Sequence, residues 1–177
     1  RARGLARGHR ESALAAYDVI VAGGGMSGAS LASELSGSAR VLLLERESMP
    51  GFHSTGRSAA AFISSYGHEV AALRLLTQAS ADFFRSPPPG ICAGGLLRPR
   101  GMLTICEPEQ VAALEASFEG VRRLFPRHEL LSSEQVRARV PRLSSQFSAR
   151  GMFDPDVYDI EVHTLHDGYL RGLRRAG

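Results

Sequence analysis

Tyr17-Asp18-Val19-Ile20-Val21-Ala22-Gly23-Gly24-Gly25-Met26-Ser27-Gly28 is the stretch whose reading decides the fold. Its first six residues form a short β-branched, apolar run, long enough for a buried strand. After the glycines, Ala29 to Leu35 place small and apolar residues at helical spacing, ended by Gly37. Arg40-Val41-Leu42-Leu43-Leu44-Glu45 then reads as a second buried strand. Strand, glycine turn, helix, strand is a compact βαβ unit, which implies a parallel sheet and an α/β protein. Gly23, Gly25 and Gly28 match G-x-G-x-x-G in the setting that motif requires. Gly23 permits the tight turn, Gly25 lets the backbone approach a pyrophosphate, and Gly28 lets the helix pack close to the strand. The helix N-terminus turns its amide donors toward the phosphate charge. Glu45 ends the second strand about 20 residues after the first glycine, where a carboxylate accepts ribose hydroxyl protons. These residues together point to a bound dinucleotide.

The following segment narrows the choice of dinucleotide. A nicotinamide enzyme returns after the acid to a helix and a third strand. Here Arg46 to Gly67 is instead rich in Gly, Ser and Thr and has no clear period. Its length marks a functional loop, and its small residues suit close passage along an extended flavin. Ser54, Thr55, Ser58 and backbone amides can donate to phosphates or to the flavin ring, and Arg57 can offset negative charge.

Beyond the loop, His68 to Phe84 reads as a helix, stopped by Ser86-Pro87-Pro88-Pro89-Gly90. Leu96-Leu97 and Met102-Leu103-Thr104-Ile105-Cys106 look like strands around an Arg98-Pro99-Arg100-Gly101 turn. A helix is expected from Pro108 to about Leu124. Ser132 and Gln135 form a capping box for a short helix that stops before Pro141. Gly151-Met152-Phe153 reads as a strand, and Asp159 is expected to cap a last helix running through Arg175.

Composition excludes several classes. The 177 residues are 44% hydrophobic and 22% charged, so the chain buries a core. No apolar run approaches the roughly 18 residues of a membrane-spanning helix. Cys92 and Cys106 are too few for a disulfide framework. The net charge of +3 suggests nucleic acid until the charges are located. Arg1, Arg3, Arg7 and Arg10 lie in the leader, which leaves 17 arginines against 18 acids from Glu11 onward. A basic leader on a near-neutral body is not a DNA-binding face, and no nucleic-acid partner is expected. The leader carries no apolar region of the kind a secretory signal needs, and a cytoplasmic location is expected. His163 and His166 share one helical face without a companion ligand, so a surface or capping role is expected and no metal site is assigned. The chain opens on Arg1, as expected of a piece of a longer protein.

From Tyr17 to Gly67 the sequence resembles the FAD-dependent amine and amino-acid oxidoreductases of the D-amino-acid oxidase superfamily. It is most similar to the D-arginine dehydrogenase type of D-amino-acid dehydrogenase. Pro50-Gly51-Phe52-His53-Ser54-Thr55-Gly56-Arg57-Ser58-Ala59-Ala60 and Tyr66-Gly67 carry the likeness. It continues more weakly at Asp154-Pro155, Asp159-Ile160 and Leu165-His166-Asp167-Gly168-Tyr169-Leu170. The resemblance implies a Rossmann-like FAD-binding domain interleaved with an α+β substrate domain, truncated at the C-terminus. It implies FAD contacts at Ser27 in the glycine turn, at Glu45 and Arg46 by the ribose, and from Ser54 through Ala60. Tyr66 matches a tyrosine that lines the substrate pocket. His53 stands near a histidine that bonds flavin covalently in dimethylglycine and sarcosine dehydrogenases, but in a different local context, so noncovalent FAD is expected.

Two departures bear on substrate. Ala61 stands where the D-arginine dehydrogenase type has a histidine, and Gly101 where it has a glutamate that meets a cationic side chain. A basic substrate is therefore not carried over. The expected organisation is an unstructured leader over 1–16 and the FAD-binding βαβ unit with its flavin loop over 17–67. The start of a substrate domain follows over 68–153, then a return segment with a helix over 154–177. The expected reaction is oxidation of a C–N bond in a small amino acid or amine by hydride transfer to flavin N5, with the electron acceptor open. The alternatives are oxidation of a hydroxy acid and a truncated, non-catalytic FAD-binding module. No catalytic base is assigned, and residues 1–177 alone are expected to be inactive.

Overall fold

A computed structural model describes residues 16–176. The basic leader assigned to 1–16 therefore lies outside the described residues except for Ala16. The architecture is mixed α/β. The opening βαβ unit forms as the sequence predicts: β1 (Val19–Ala22), α1 (Met26–Leu35) and β2 (Val41–Leu44). β1 and β2 pair in parallel, with Val19 opposite Val41 and Ala22 opposite Leu44. Asp18 braces the start of the sheet through a two-toothed ion pair with Arg40, which holds the Asp18 carboxyl below its usual range.

Two antiparallel sheets follow. The first has the order β3 (Ala61–Ile63), β8 (Val157–Ile160), β4 (Leu97–Pro99). The second has the order β5 (Met102–Cys106), β7 (Arg150–Asp154), β6 (Glu129–Ser132). Arg98 and Pro99, expected in a turn, belong to β4, and the strands on either side of Arg100–Gly101 do not pair with each other. β4 pairs with β8 and β5 with β7, so two chain segments cross together from one sheet to the other. Gly101 makes the bend with φ of +72°, and a Cβ there would lie 2.8 Å from the Phe153 ring. On the returning segment, the Asp154 carboxylate accepts the Asp156 N–H at 2.8 Å and closes the turn into β8.

The helices cover these sheets. α2 (Ala71–Arg85) begins three residues later than expected. A short tighter turn over Pro108–Gln110 leads into α3 (Val111–Arg122). α4 (Ser133–Arg139) carries the predicted capping box, with the Gln135 N–H donating to Ser132 Oγ and the Gln135 side chain accepting the Ser132 N–H. α5 (Val162–Ala176) packs on α1 through small residues. Ala29 and Ala32 are fully buried, and a Cβ on Gly172 would lie 2.5 Å from Ser33 Oγ. Ile91, Leu96 and Leu165 form the adjoining core, flanked by Phe83, Phe84 and Tyr169. Burial among these aromatics raises the Tyr169 phenol, with a smaller push from Glu34. Among the described residues no helix is long and apolar enough to cross a membrane.

One expectation fails. Asp159 does not cap the last helix: it sits inside β8 and pairs with Arg100 at 2.9 Å on the surface. The helix begins three residues later because Val157–Ile160 is held between β3 and β4. Ser132, which caps a helix, and Asp159, which does not, make a direct comparison. Ser132→Ala should cost about 1 kcal/mol of stability in urea unfolding. Asp159→Ala should cost no more than about 0.5 kcal/mol, as expected for an exposed ion pair; equal losses would contradict these assignments.

Candidate functional site

The site lies at the carboxyl ends of β1 and β2, where open α/β sheets receive nucleotides. Gly23 leaves β1 with φ of +102° and donates its N–H to the Leu44 carbonyl at 2.7 Å, tying the turn to the end of β2. A Cβ on Gly28 would collide with the Gly23 carbonyl oxygen, so only glycine lets α1 cross the turn this closely. Gly25 differs. The nearest atom to a Cβ there is Thr55 Oγ1 at 3.4 Å, so a methyl group would fit in ordinary contact. Gly25 is also the N-cap of α1 and has no side chain to occupy the helix start.

Two cavities of about 620 and 590 Å³ share Gly23, Gly25, Ser54 and Thr55, and so form one cleft along the glycine turn. Glu45, Arg46 and His53 line one end, and Ser27, Gly28, Ser58 and Ala60 line the other. Thr55 accepts the Met26 N–H at 2.9 Å on its hydroxyl oxygen, which leaves its own proton to donate. Gly56, Arg57 and Ala59 lie on the same loop outside the lining of this cleft. A Cβ on Gly56 would lie 2.7 Å from the Gly51 carbonyl, and the Arg57 guanidinium stacks over Phe52 at 5.3 Å. The loop therefore delivers its hydroxyls to the cleft, while Arg57 stays outside the lining, stacked over Phe52.

Glu45 is more engaged than its sequence position suggests. Its Oε2 accepts the Gly24 N–H at 2.8 Å, and its Oε1 accepts those of Arg46 and Glu47 at 2.7 and 3.0 Å. The amides of Glu47, Gly24 and Arg46 hold its carboxyl below the ordinary glutamate range. A carboxylate has about four acceptor positions, so Oε2 keeps a second one beside the Gly24 N–H. Glu47 is likewise lowered, by His53 at 3.0 Å and then by Arg46 at 2.9 Å.

The paired reading of His163 and His166 needs correction. His163 is exposed and reaches Asp167 at 3.4 Å. His166 is 4% exposed and meets the Gly24 carbonyl at 2.7 Å, so it belongs to the glycine turn and not to the surface. Its partner lies 142 residues earlier in the chain, and no spacing rule reaches that far.

Tyr66 is exposed and lines a separate cavity of about 290 Å³ with Ala61, Phe62, Ile63 and Phe84. Phe84 and the Ala60–Ala61 step connect it with the cleft. Its loop is anchored by the neighbouring Ser65, whose hydroxyl donates to Asp154 Oδ2 at 3.0 Å. His128 meets the same oxygen at 3.2 Å. This buried trio carries no sequence motif and was outside the reach of the sequence reading.

Residues 18–177 match the family described as FAD dependent oxidoreductase, DAO, and the chain belongs to that family. Solved structures show the same fold. Glycine oxidase from Geobacillus kaustophilus aligns with a TM-score of 0.73 at 20% identity, over 91% of this chain and 45% of that one. NikD, described as an unusual amino acid oxidase essential for nikkomycin biosynthesis, aligns at 0.72 and 23% identity, over 91% and 42%. The L-alpha-glycerophosphate oxidase of Mycoplasma pneumoniae, crystallised with FAD bound, aligns at 0.66 and 16% identity, over 90% and 42%. The chain thus spans less than half the length of these structures.

The glycine turn fits the cofactor of this family. The side-chain-free N-cap at Gly25 and the amides of the first turn of α1 beyond Met26, whose N–H is taken by Thr55, suit a pyrophosphate, and the remaining acceptor position of Glu45 suits a ribose. The contrast between two glycines tests this fit. Gly25→Ala should leave the thermal midpoint of the apoprotein nearly unchanged and weaken FAD at least about tenfold. Gly28→Ala should lower that midpoint itself, because its Cβ meets backbone within the protein. Equal effects of the two changes on the apoprotein would refute the distinction.

Proposed function

We propose that this chain forms the FAD-binding part of an oxidoreductase that oxidises a C–N bond in a small amino acid or amine. The observation that carries the reading is the cleft itself. It places an open helix N-terminus at Gly25, loop hydroxyls at Ser54, Thr55 and Ser58, and a strand-end carboxylate at Glu45 around one continuous groove. FAD, when bound, supplies a two-electron acceptor for the hydride on the carbon that bears the amine. The chain's own residues bind and orient. Gly23, Gly25, Ser27 and Gly28 would hold the pyrophosphate, Glu45 and Arg46 the ribose, and the loop from Ser54 to Ala60 the flavin half.

The substrate reading follows from the second cavity. Tyr66 and Phe84 give it an apolar, aromatic wall. Gly101 lines neither cavity; by the resemblance it stands where a glutamate would meet a cationic substrate, and its φ of +72° beside Phe153 leaves no room for a side chain. A small neutral or zwitterionic amine therefore suits the site better than a basic one. Two of the three similar structures are named as acting on glycine or an amino acid, which agrees with this reading. The glycerophosphate oxidase supplies the contrasting reaction, oxidation at C–O.

FAD would be held noncovalently. His53 lies at the Glu45 end of the cleft, away from Ala60 and the Tyr66 cavity, and its Nε2 is committed to Glu47. The test is dye reduction by the full-length holoprotein that contains this chain, with neutral amino acids, small amines, basic amino acids and hydroxy acids, followed by acid precipitation. Neutral amino acids or amines should reduce the dye, and yellow colour should leave with the supernatant. Turnover of hydroxy acids alone would overturn the C–N assignment, and a yellow pellet would overturn noncovalent binding.

Glu45 gives a separate readout. A carboxyl held below its ordinary value contributes above that range and loses its contribution only as pH falls through the lowered value. FAD affinity should therefore be flat through neutral pH and fall in acid. Glu45→Gln places an NH2 donor against backbone N–H groups and should weaken FAD about tenfold at neutral pH. The variant should also lose the Glu45 part of the acid limb. Parental affinity and an unchanged pH profile would remove Glu45 from the site.

A further inference from the structure

Gly24 is gripped on both sides. Its N–H donates to Glu45 Oε2 at 2.8 Å, and its carbonyl meets His166 Nε2 at 2.7 Å. A carbonyl oxygen only accepts, so His166 Nε2 carries the proton and donates it. The Gly24–Gly25 peptide is trans, and the Gly25 N–H therefore points opposite to the Gly24 carbonyl. That carbonyl is turned toward the buried imidazole on α5. The Gly25 N–H is turned away from α5, and Gly25 lines the cleft. The imidazole is also wedged against the loop: a Cβ on Gly51 would lie 2.9 Å from His166 Cε1. Gly51 in turn accepts the Gly56 N–H at 2.7 Å, closing the loop segment that carries Ser54 and Thr55.

We propose that His166 is a positioning residue for the cofactor pyrophosphate, fixing the Gly24–Gly25 peptide plane so that the Gly25 amide serves as a phosphate donor. The inference rests on the FAD reading above. His166 touches no cofactor atom in this role. It acts through the peptide, and through Gly51 it sets the glycine turn in register with the hydroxyl-bearing loop. Removing its donor leaves the Gly24 carbonyl buried without a partner, and the peptide gains freedom to rotate.

The test uses apoprotein prepared from the holoprotein of the parent, His166→Gln, His166→Asn and His166→Leu. FAD affinity is read by flavin fluorescence quenching, and the bound pyrophosphate by phosphorus NMR. Glutamine carries an amide donor at about the reach of Nε2, whereas the asparagine amide falls short. Gln should stay within about threefold of the parent, while Asn and Leu should bind FAD about tenfold more weakly. The phosphorus resonances of bound FAD should move in Asn and Leu and stay near parental positions in Gln. General loss of packing would lower the thermal midpoint without this split. Where Leu fails to fold, the comparison of Gln with Asn decides. Parental affinity and resonances in Asn and Leu would overturn the inference, as would Gln behaving like Asn. A parent that holds no FAD would overturn the cofactor reading and this inference with it. A parent that holds FAD while every His166 variant matches it would overturn this inference alone.

Discussion

The contact between Gly28 and the Gly23 carbonyl governs the rest of the molecule. Nothing larger than hydrogen fits between them, so α1 lies directly over the end of β1 and starts at the strand ends, where Thr55 takes its first amide. That placement brings α1 against α5, where Ser33 meets Gly172 with no room for a Cβ. α5 then carries His166 beneath the turn and Leu165 into the core with Ile91 and Leu96. One missing methyl group thus sets the distances from strand to helix, from helix to helix, and from helix to loop.

Polarity is handled differently in two regions. Around the glycine turn, backbone groups meet Glu45, Thr55 and His166, and their donors and acceptors are arranged about a groove. Near Tyr66, polarity is buried and closed: Ser65 and His128 converge on Asp154, while the cavity beside them is apolar. Among the described residues no buried side-chain nitrogen or oxygen lacks a partner. The groove is suited to a charged and hydroxylated ligand, and the cavity to a small one with apolar surface.

Much of the βαβ unit was legible in the sequence because its signals are local. Glycine spacing, β-branched runs and small helical residues all act within a few positions. The Ser132–Gln135 capping box was legible for the same reason. β3, β6 and β8 were not, since runs of three or four residues carry almost no periodicity. β8 exists because Ala61 and Leu97 pair with Asp159 and Ile160 from opposite sides. Read alone, Asp159 is a plausible helix cap, and only those distant partners make it a strand residue. At the site, Glu45 was legible as a strand-end acid, but its three amide partners were not. His166 was visible only as one of two histidines at helical spacing. Its meaning comes from a carbonyl that sequence patterns do not mark.

The distance between Gly24 and His166 along the chain has a consequence for synthesis. The glycine turn leaves the ribosome with β1 and α1, while its second anchor follows 142 residues later. At ordinary elongation rates that interval is on the order of ten seconds. β3 waits about two thirds as long for β8, its one partner strand among the described residues. During this interval the nascent chain exposes a parallel strand pair and an unpaired strand edge, the kind of surface that chaperones shield. Arrival of α5 then closes the turn, the helix pair and the loop together, so maturation of the nucleotide groove is coupled to the end of this stretch of chain and not to its beginning.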